Sequence, residues 1–175
     1  MKKHIKKTLL ILIVFLGIIT PLSAISIATY ATLESRKGGG GVELGYTFYE
    51  KEEFQLQHHA ALNVYLGNDV SLKGHFISFS NKIVFAHPYG STYKTYGFAR
   101  IEGGYSYDNT HLLFDPPFIL EIGGGAGFEF RFVENNAFFS EFGGGTTFRF
   151  PESTSDNPDF TGSYVLMSVG MRHYL

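Results

Sequence analysis

The stretch Phe118-Ile119-Leu120-Glu121-Ile122-Gly123-Gly124-Gly125-Ala126-Gly127-Phe128-Glu129-Phe130-Arg131-Phe132 decides how the rest of the chain is read. Its even positions are Phe, Leu, Ile, Gly, Ala, Phe, Phe and Phe. Its odd positions from Glu121 onward are Glu, Gly, Gly, Gly, Glu and Arg. Strict period-2 alternation of this kind belongs to a strand that shows different surroundings to its two faces, and it is incompatible with a 3.6-residue helical stripe. The run is also longer than the 9–11 residues that a tilted strand needs to cross a bilayer.

The same rule extends in both directions. Residues 137–150 set Phe138, Phe142, Phe148 and Phe150 against Glu141, Gly143, Gly145, Thr147 and Arg149, with Phe139 an exception on the polar parity. Residues 164–175 set Val165, Met167, Val169, Met171 and Leu175 against Ser168, Gly170, Arg172 and Tyr174. Toward the N-terminus, residues 41–50 oppose Val42, Leu44, Tyr46 and Phe48 to Glu43, Gly45 and Thr47. Residues 54–66 oppose Phe54, Leu56, Ala60, Leu62 and Val64 to Gln55, Gln57, His59 and Asn63. Gly67-Asn68-Asp69 reads as a turn into a strand over 70–80, and Asn81-Lys82 as a second turn into a short strand over 83–86. A strand over 96–107 brings the number to eight. The segments Asp108–Pro117, with Asp115-Pro116-Pro117, and Pro151–Gly162, rich in Ser, Asp, Asn and Pro, read as long loops. Glu121-Ile122-Gly-Gly-Gly-x-x-Phe128 repeats as Glu141-Phe142-Gly-Gly-Gly-x-x-Phe148, which reads as repeated strand geometry.

The first 24 residues have the form of an export signal: Lys2, Lys3, Lys6 and Lys7, an apolar core, then Pro21, Leu22, Ser23 and Ala24. The small residues and Pro21 favour cleavage after Ala24 over an uncleaved anchor helix, and cuts after Ala28 or Ala31 stay open. Residues 25–40, with Arg36-Lys37 and four glycines, read as a flexible leader ahead of one domain over 41–175. Of the 14 lysines and arginines, four leave with the signal, so 10 face 16 acidic side chains. No basic stripe remains to neutralise phosphates, which excludes nucleic acid as a partner. Cysteine is absent, so neither a disulfide framework nor a lipidated N-terminal Cys is expected.

Alternation alone is equally compatible with a soluble barrel, apolar inside, that carries an apolar ligand. The glycines decide for the membrane form. They share the parity of Glu and Arg, and the inside of an eight-stranded barrel is only just wide enough for side chains. Aromatic residues at strand ends, such as Phe118 and Phe128–Phe132, fit interfacial girdles. The signal, the strand number, the Gly-Gly-Gly-x-x-Phe strands and the ending Ser168-Val169-Gly170-Met171-Arg172-His173-Tyr174-Leu175 resemble the small outer-membrane β-barrel proteins of the OmpA/OmpX type. The chain departs from that pattern in ending on Leu rather than Phe and in placing His173 on the apolar parity. The resemblance implies an all-β, up-and-down antiparallel transmembrane barrel in a bacterial outer membrane, with outer-membrane lipid as its surroundings. It also implies recognition by the barrel-assembly machinery through Val169, Met171, Tyr174 and Leu175.

With the polar parity inward, the lumen should hold Glu43, Arg100, Glu102, Glu121, Glu129, Arg131, Glu141, Arg149 and Arg172. Five acids and four bases nearly balance, as they must where water cannot solvate them. A filled lumen is expected in preference to a charge-selective conduit. The triple glycines are not followed by Lys-Ser/Thr or a helix, so no nucleotide loop is expected. His58 and His59 point to opposite faces, and His59 and His75 lack a third ligand, so no metal or other cofactor is expected. His75 lies at odd offsets from Ser78 and Ser80, which faces the serines away from it and argues against a lipid-modifying enzyme. The expected role is non-enzymatic: structural support, or contact with an extracellular ligand or host surface through loops 108–117 and 151–162.

This facing assignment predicts that Val169→Arg lowers unfolding free energy in lipid vesicles by about 2–4 kcal/mol, while Ser168→Thr on the opposite face has a mild effect. Equal losses would reverse the assignment.

Overall fold

A computed structural model describes residues 24–35, 37–69, 72–107, 118–150 and 159–175. They form eight strands: β1 (Ala24–Glu34), β2 (Lys37–Lys51), β3 (Phe54–Asp69), β4 (Leu72–Tyr89), β5 (Tyr93–Tyr107), β6 (Phe118–Val133), β7 (Asn136–Phe150) and β8 (Asp159–Tyr174). Each strand pairs antiparallel with the next, and β1 pairs with β8 from Ser26↔Tyr174 to Glu34↔Leu166. Closure leaves no sheet edge with unpaired amides, the condition for placing strands in hydrocarbon.

The number of strands is the expected one, but two of the elements differ. Residues 25–40 are not a leader. Residues 25–34 lie in β1 and 37–40 open β2, so the barrel begins at Ala24. The cause is visible in the alternation of Ser26, Ala28, Thr32 and Glu34, all buried, with Ile27 and Leu33, both exposed. In sequence this strand merges with the apolar end of the signal. The glycine run is strand as well: a Cβ at Gly39 would lie 2.8 Å from the Tyr65 backbone and 2.9 Å from its ring.

Asn81-Lys82 is not a turn either. β4 runs unbroken, paired through Asn81↔Ala60 on one side and Asn81↔Ile101 on the other. Neither residue supplies the glycine a two-residue hairpin favours, and both side chains have partners within the wall. Asn81 hydrogen-bonds His58 on the outer face at 3.1 Å, and Lys82 points into the lumen. The missing turn and the extra strand cancel in the count. The gap between the expected strands over 83–86 and 96–107 shrinks accordingly to Gly90–Thr92, with Gly90 at φ 64°.

The expected signal, up to residue 23, and the loop over 108–117 lie outside the described residues. Of the loop expected over 151–162, residues 159–162 belong to β8 and the others lie outside them. Turns 52–53, 90–92 and 134–135 share one end of the barrel with both strand termini, Ala24 and Tyr174. The strand ends at Glu34, Lys37, Asp69, Leu72, Tyr107, Phe118, Phe150 and Asp159 lie at the other end.

Because Ser26 to Ala31 pair with β8, a mature chain beginning after Ala28 or Ala31 loses part or most of the β1–β8 seam. A chain beginning at Ile25 is expected to refold in detergent into a form whose gel mobility shifts on heating, and one beginning at Thr32 is not. Equal shifts would remove β1 from the closure.

Candidate functional site

The lumen is the chemically rich part of the molecule. Parity turns Glu34, Lys37, Glu43, Lys82, Lys94, Arg100, Glu102, Glu121, Glu129, Glu141 and Arg172 inward, and all are buried. Six carboxylates thus meet five cations. They gather into two layers.

In the layer nearer the termini, Arg172 of β8 bridges Glu43 of β2 at 2.7 Å and Glu129 of β6 at 2.5 Å, with its guanidinium 4.8 Å from the Phe139 ring centroid. Lys82 of β4 bridges Glu43 at 2.9 Å and Glu141 of β7 at 2.5 Å. His59 lies 2.7 Å from Glu43 and 3.2 Å from Gln57. Lys94 contacts Glu129 at 3.0 Å and donates to the Tyr174 hydroxyl at 2.5 Å, and that hydroxyl in turn donates to Glu129.

In the other layer, Arg100 of β5 reaches Glu34 at 2.8 Å, Glu102 at 3.2 Å and Glu121 at 3.6 Å. Lys37 contacts Glu121 at 2.9 Å and Glu34 at 3.1 Å, and sits 4.1 Å from the Tyr65 ring centroid and 4.3 Å from that of Phe76. The Tyr65 and Ser78 hydroxyls donate to Glu102. Between the layers, Tyr30 donates to Asn63, and Asn63 donates to Ser80 at 3.2 Å.

These contacts tie strands on opposite sides of the cylinder, and they need space that glycine provides. A Cβ at Gly123 or Gly145 would stand 2.6 or 2.8 Å from the Tyr164 hydroxyl. One at Gly127 would overlap the Tyr96 ring, whose hydroxyl donates to Glu141 at 3.0 Å. Gly123, Gly127 and Gly145 are therefore the seats of tyrosines that complete the ion network, while Gly125 and Gly143 let the β6 and β7 backbones approach each other.

Of the nine expected lumen charges, Glu43, Arg100, Glu102, Glu121, Glu129, Glu141 and Arg172 come together in these layers. Arg131 and Arg149 stand apart. Each is half-buried near an end of the barrel, Arg131 with its guanidinium 4.5 Å from the Tyr174 ring centroid. Sequence reasoning missed Glu34, Lys37, Lys82 and Lys94. Treating 25–40 and 81–82 as leader and turn removed the first three from any face; continuous alternation through them would have turned all three inward.

Three carboxylates, Glu34, Glu102 and Glu121, offer oxygens within 4.8 Å of one another, the approach a metal would use. Lys37 and Arg100 already stand among them. His75 is exposed while Ser78 and Ser80 are buried in the lumen, so the wall separates the imidazole from both hydroxyls. His58 and His59 point to opposite faces, to Asn81 and to Glu43 respectively. At the C-terminus, Val169, Met171 and Leu175 face outward, while Tyr174 turns in toward Lys94 and Glu129.

Removing Arg172 leaves Glu43 to Lys82 and His59, and Glu129 to Lys94 and Tyr174, with one cation fewer among six buried carboxylates. Arg172→Met is expected to lower stability in vesicles by about 3–5 kcal/mol, as for a broken buried pair. Arg131→Met, which loses only a ring contact, is expected to cost about 1 kcal/mol or less. Urea unfolding followed by tyrosine fluorescence measures both, and similar losses would deny the lumen network its structural weight.

No protein-family model and no curated protein matches the sequence. Solved structures do. The N-terminal β-barrel domain of Pseudomonas aeruginosa OprF is 13% identical, with 89% of this chain and 100% of that one covered at a TM-score of 0.60. Ail of Yersinia pestis, in complex with the heparin analogue sucrose octasulfate, is 15% identical over 87% of this chain and 97% of that one, at a TM-score of 0.55. Neisserial surface protein A is 12% identical over 86% and 95%, at 0.53. At these identities the likeness is one of architecture: the chain has the fold of the small, eight-stranded outer-membrane β-barrels.

Proposed function

We propose that this chain is a non-enzymatic barrel of the bacterial outer membrane, its lumen closed by ion pairs, whose task lies in its wall and its surface loops. The observation that carries this reading is the inversion of polarity. Leu33, Leu44, Leu62, Leu66, Phe142 and Val165 stand more than half exposed, while every lumen carboxylate named above is buried. A contiguous exposed apolar belt of this size has no place on a soluble monomer.

The belt has the right height. Tyr105 and Phe150, both half-buried, flank a fully buried Phe118 at one level of the wall, and Tyr49 with Phe54 and Tyr93 with Phe128 and Phe130 make ring contacts along the other rim. Ten residue steps along β6 separate the level of Phe118 from that of Phe128. At about 3.4 Å per residue and about 40° of tilt, that is roughly 26 Å, close to the apolar band of about 25 Å on such barrels. Two aromatic girdles at this spacing match the two interfaces.

With the strand termini in the periplasm, the connections 35–36, 70–71, 108–117 and 151–158 face outward from the cell. Short turns on one side and the longest connections on the other are the usual asymmetry of such barrels. A surface-contact role fits this arrangement, and Ail, a structural neighbour, binds a heparin analogue. Val169, Met171 and Leu175 present the outward apolar alternation through which the assembly machinery would recognise the last strand. The wall between His75 and the lumen serines gives the lipid-modifying alternative no assembled site.

The expected result is recovery of the mature chain in the outer-membrane fraction, soluble only with detergent, with gel mobility that shifts on boiling. A folded, monodisperse protein in detergent-free buffer would overturn the reading.

A further inference from the structure

Toward one end of the lumen, Lys37 lies against the Tyr65 and Phe76 rings. At the end that carries the strand termini, the lumen widens into a pocket of about 390 Å³. The volume lies within the range of small-molecule sites. Its floor is the Lys94–Glu129–Tyr174 group, whose charges and hydroxyl already satisfy one another.

Its walls are different. Glu50 and Glu52 of the β2–β3 hairpin line one side, and neither has a cation within 4 Å among the described residues. Glu50 accepts a hydrogen bond from Gln55 at 2.7 Å, and Glu52 is held at the turn with φ 35°. Arg131 of β6 lines another side, without a carboxylate within 4 Å among the described residues; its guanidinium is held on the Tyr174 ring. The pocket therefore presents two carboxylates on the β2–β3 hairpin and one guanidinium on β6, with no ionic partner for either among the described residues.

We propose that this mouth binds an extended zwitterion: a ligand with an ammonium for Glu50 and Glu52 and, several ångströms away, a carboxylate for Arg131. The carboxylates and the guanidinium lie on different hairpins around a cavity of about 390 Å³, which suits a ligand whose ammonium and carboxylate are separated by several carbons. The fitting class is a lysine-type side chain on a peptide that ends in a free carboxylate, or an ω-amino acid of that length. A guanidinium pre-oriented on an aromatic ring is suited to forked recognition of a carboxylate. That the mouth opens to the periplasm rests on the orientation proposed above; the pocket and its charges do not.

The test uses the refolded mature barrel in lipid nanodiscs and 6-aminohexanoate as probe, followed by amide chemical shifts of the 50–57, 90–94 and 129–131 segments. Adipate and 1,5-diaminopentane, of similar length but carrying like charges, are the controls. Saturable shifts with 6-aminohexanoate, weaker by about tenfold or more for each control and for Arg131→Gln and Glu52→Gln, are the expected result, since each variant loses a charge-assisted contact. Heat-dependent gel mobility verifies that both variants are folded. The proposal fails if the folded barrel shows no saturable shift, if the controls bind equally, or if both folded variants bind like the parent. Any of these outcomes leaves the membrane reading intact, which fails only in the fractionation experiment.

Discussion

A charge enclosed in a narrow, side-chain-filled cylinder must find its opposite there, and the rest of the molecule is arranged around that requirement. Water cannot enter in sufficient amount to solvate an isolated carboxylate, and an unpaired ion in such surroundings is strongly destabilising. Arg172, Lys82, Lys37 and Arg100 each contact two or more carboxylates, drawn from strands on different sides of the wall. The network does in this lumen what apolar packing does in a soluble core: it holds the far walls to one another. It also specifies geometry, because each carboxylate must arrive at the right height.

The outside of the barrel follows from the inside. A strand's side chains alternate, so committing one parity to ions commits the other to whatever surrounds the barrel. Here that second parity is Leu, Ile, Val, Met and Phe, bounded by aromatic rings at both rims. Glycine mediates between the two demands. Tyr96 donates to Glu141 and Tyr164 accepts from Arg100, and the lumen has room for these rings where a neighbouring strand carries no Cβ, at Gly127 beneath Tyr96 and at Gly123 and Gly145 beneath Tyr164. Gly127 thus complements a ring of β5, and Gly123 and Gly145 of the Gly-Gly-Gly runs complement a ring of β8.

The two ends of the lumen serve different chemistry. Lys37 lies against two rings toward one end, while the opposite mouth leaves Glu50, Glu52 and Arg131 without ionic partners among the described residues. The surplus charge lies where solvent can reach it, so the fold tolerates it there and nowhere deeper. A site that binds charge can be built at the rim without disturbing the network that stabilises the wall.

How far the residues alone could be read depended on the purity of their alternation. In β6, β7 and β8 both parities are nearly unmixed, so their faces were legible directly, as were the approximate bounds of β6 and β7, while β8 starts five residues earlier than its alternation suggests. β1 was hidden because Ile25 and Ile27 continue the apolar signal without a break. The middle of β4 was hidden because Asn81-Lys82 looks like turn chemistry until both flanking strands are seen to pair with it. The residues by themselves determined which side chains share a face, and from that an inverted barrel with ions inside. Only the tertiary structure decided which ions meet, that β1 closes on β8, and that tyrosines sit over glycines. The physical reason is that a period of two assigns each side chain to a face but leaves open how far one strand slides along the next, and register sets the height at which charges face each other across the lumen.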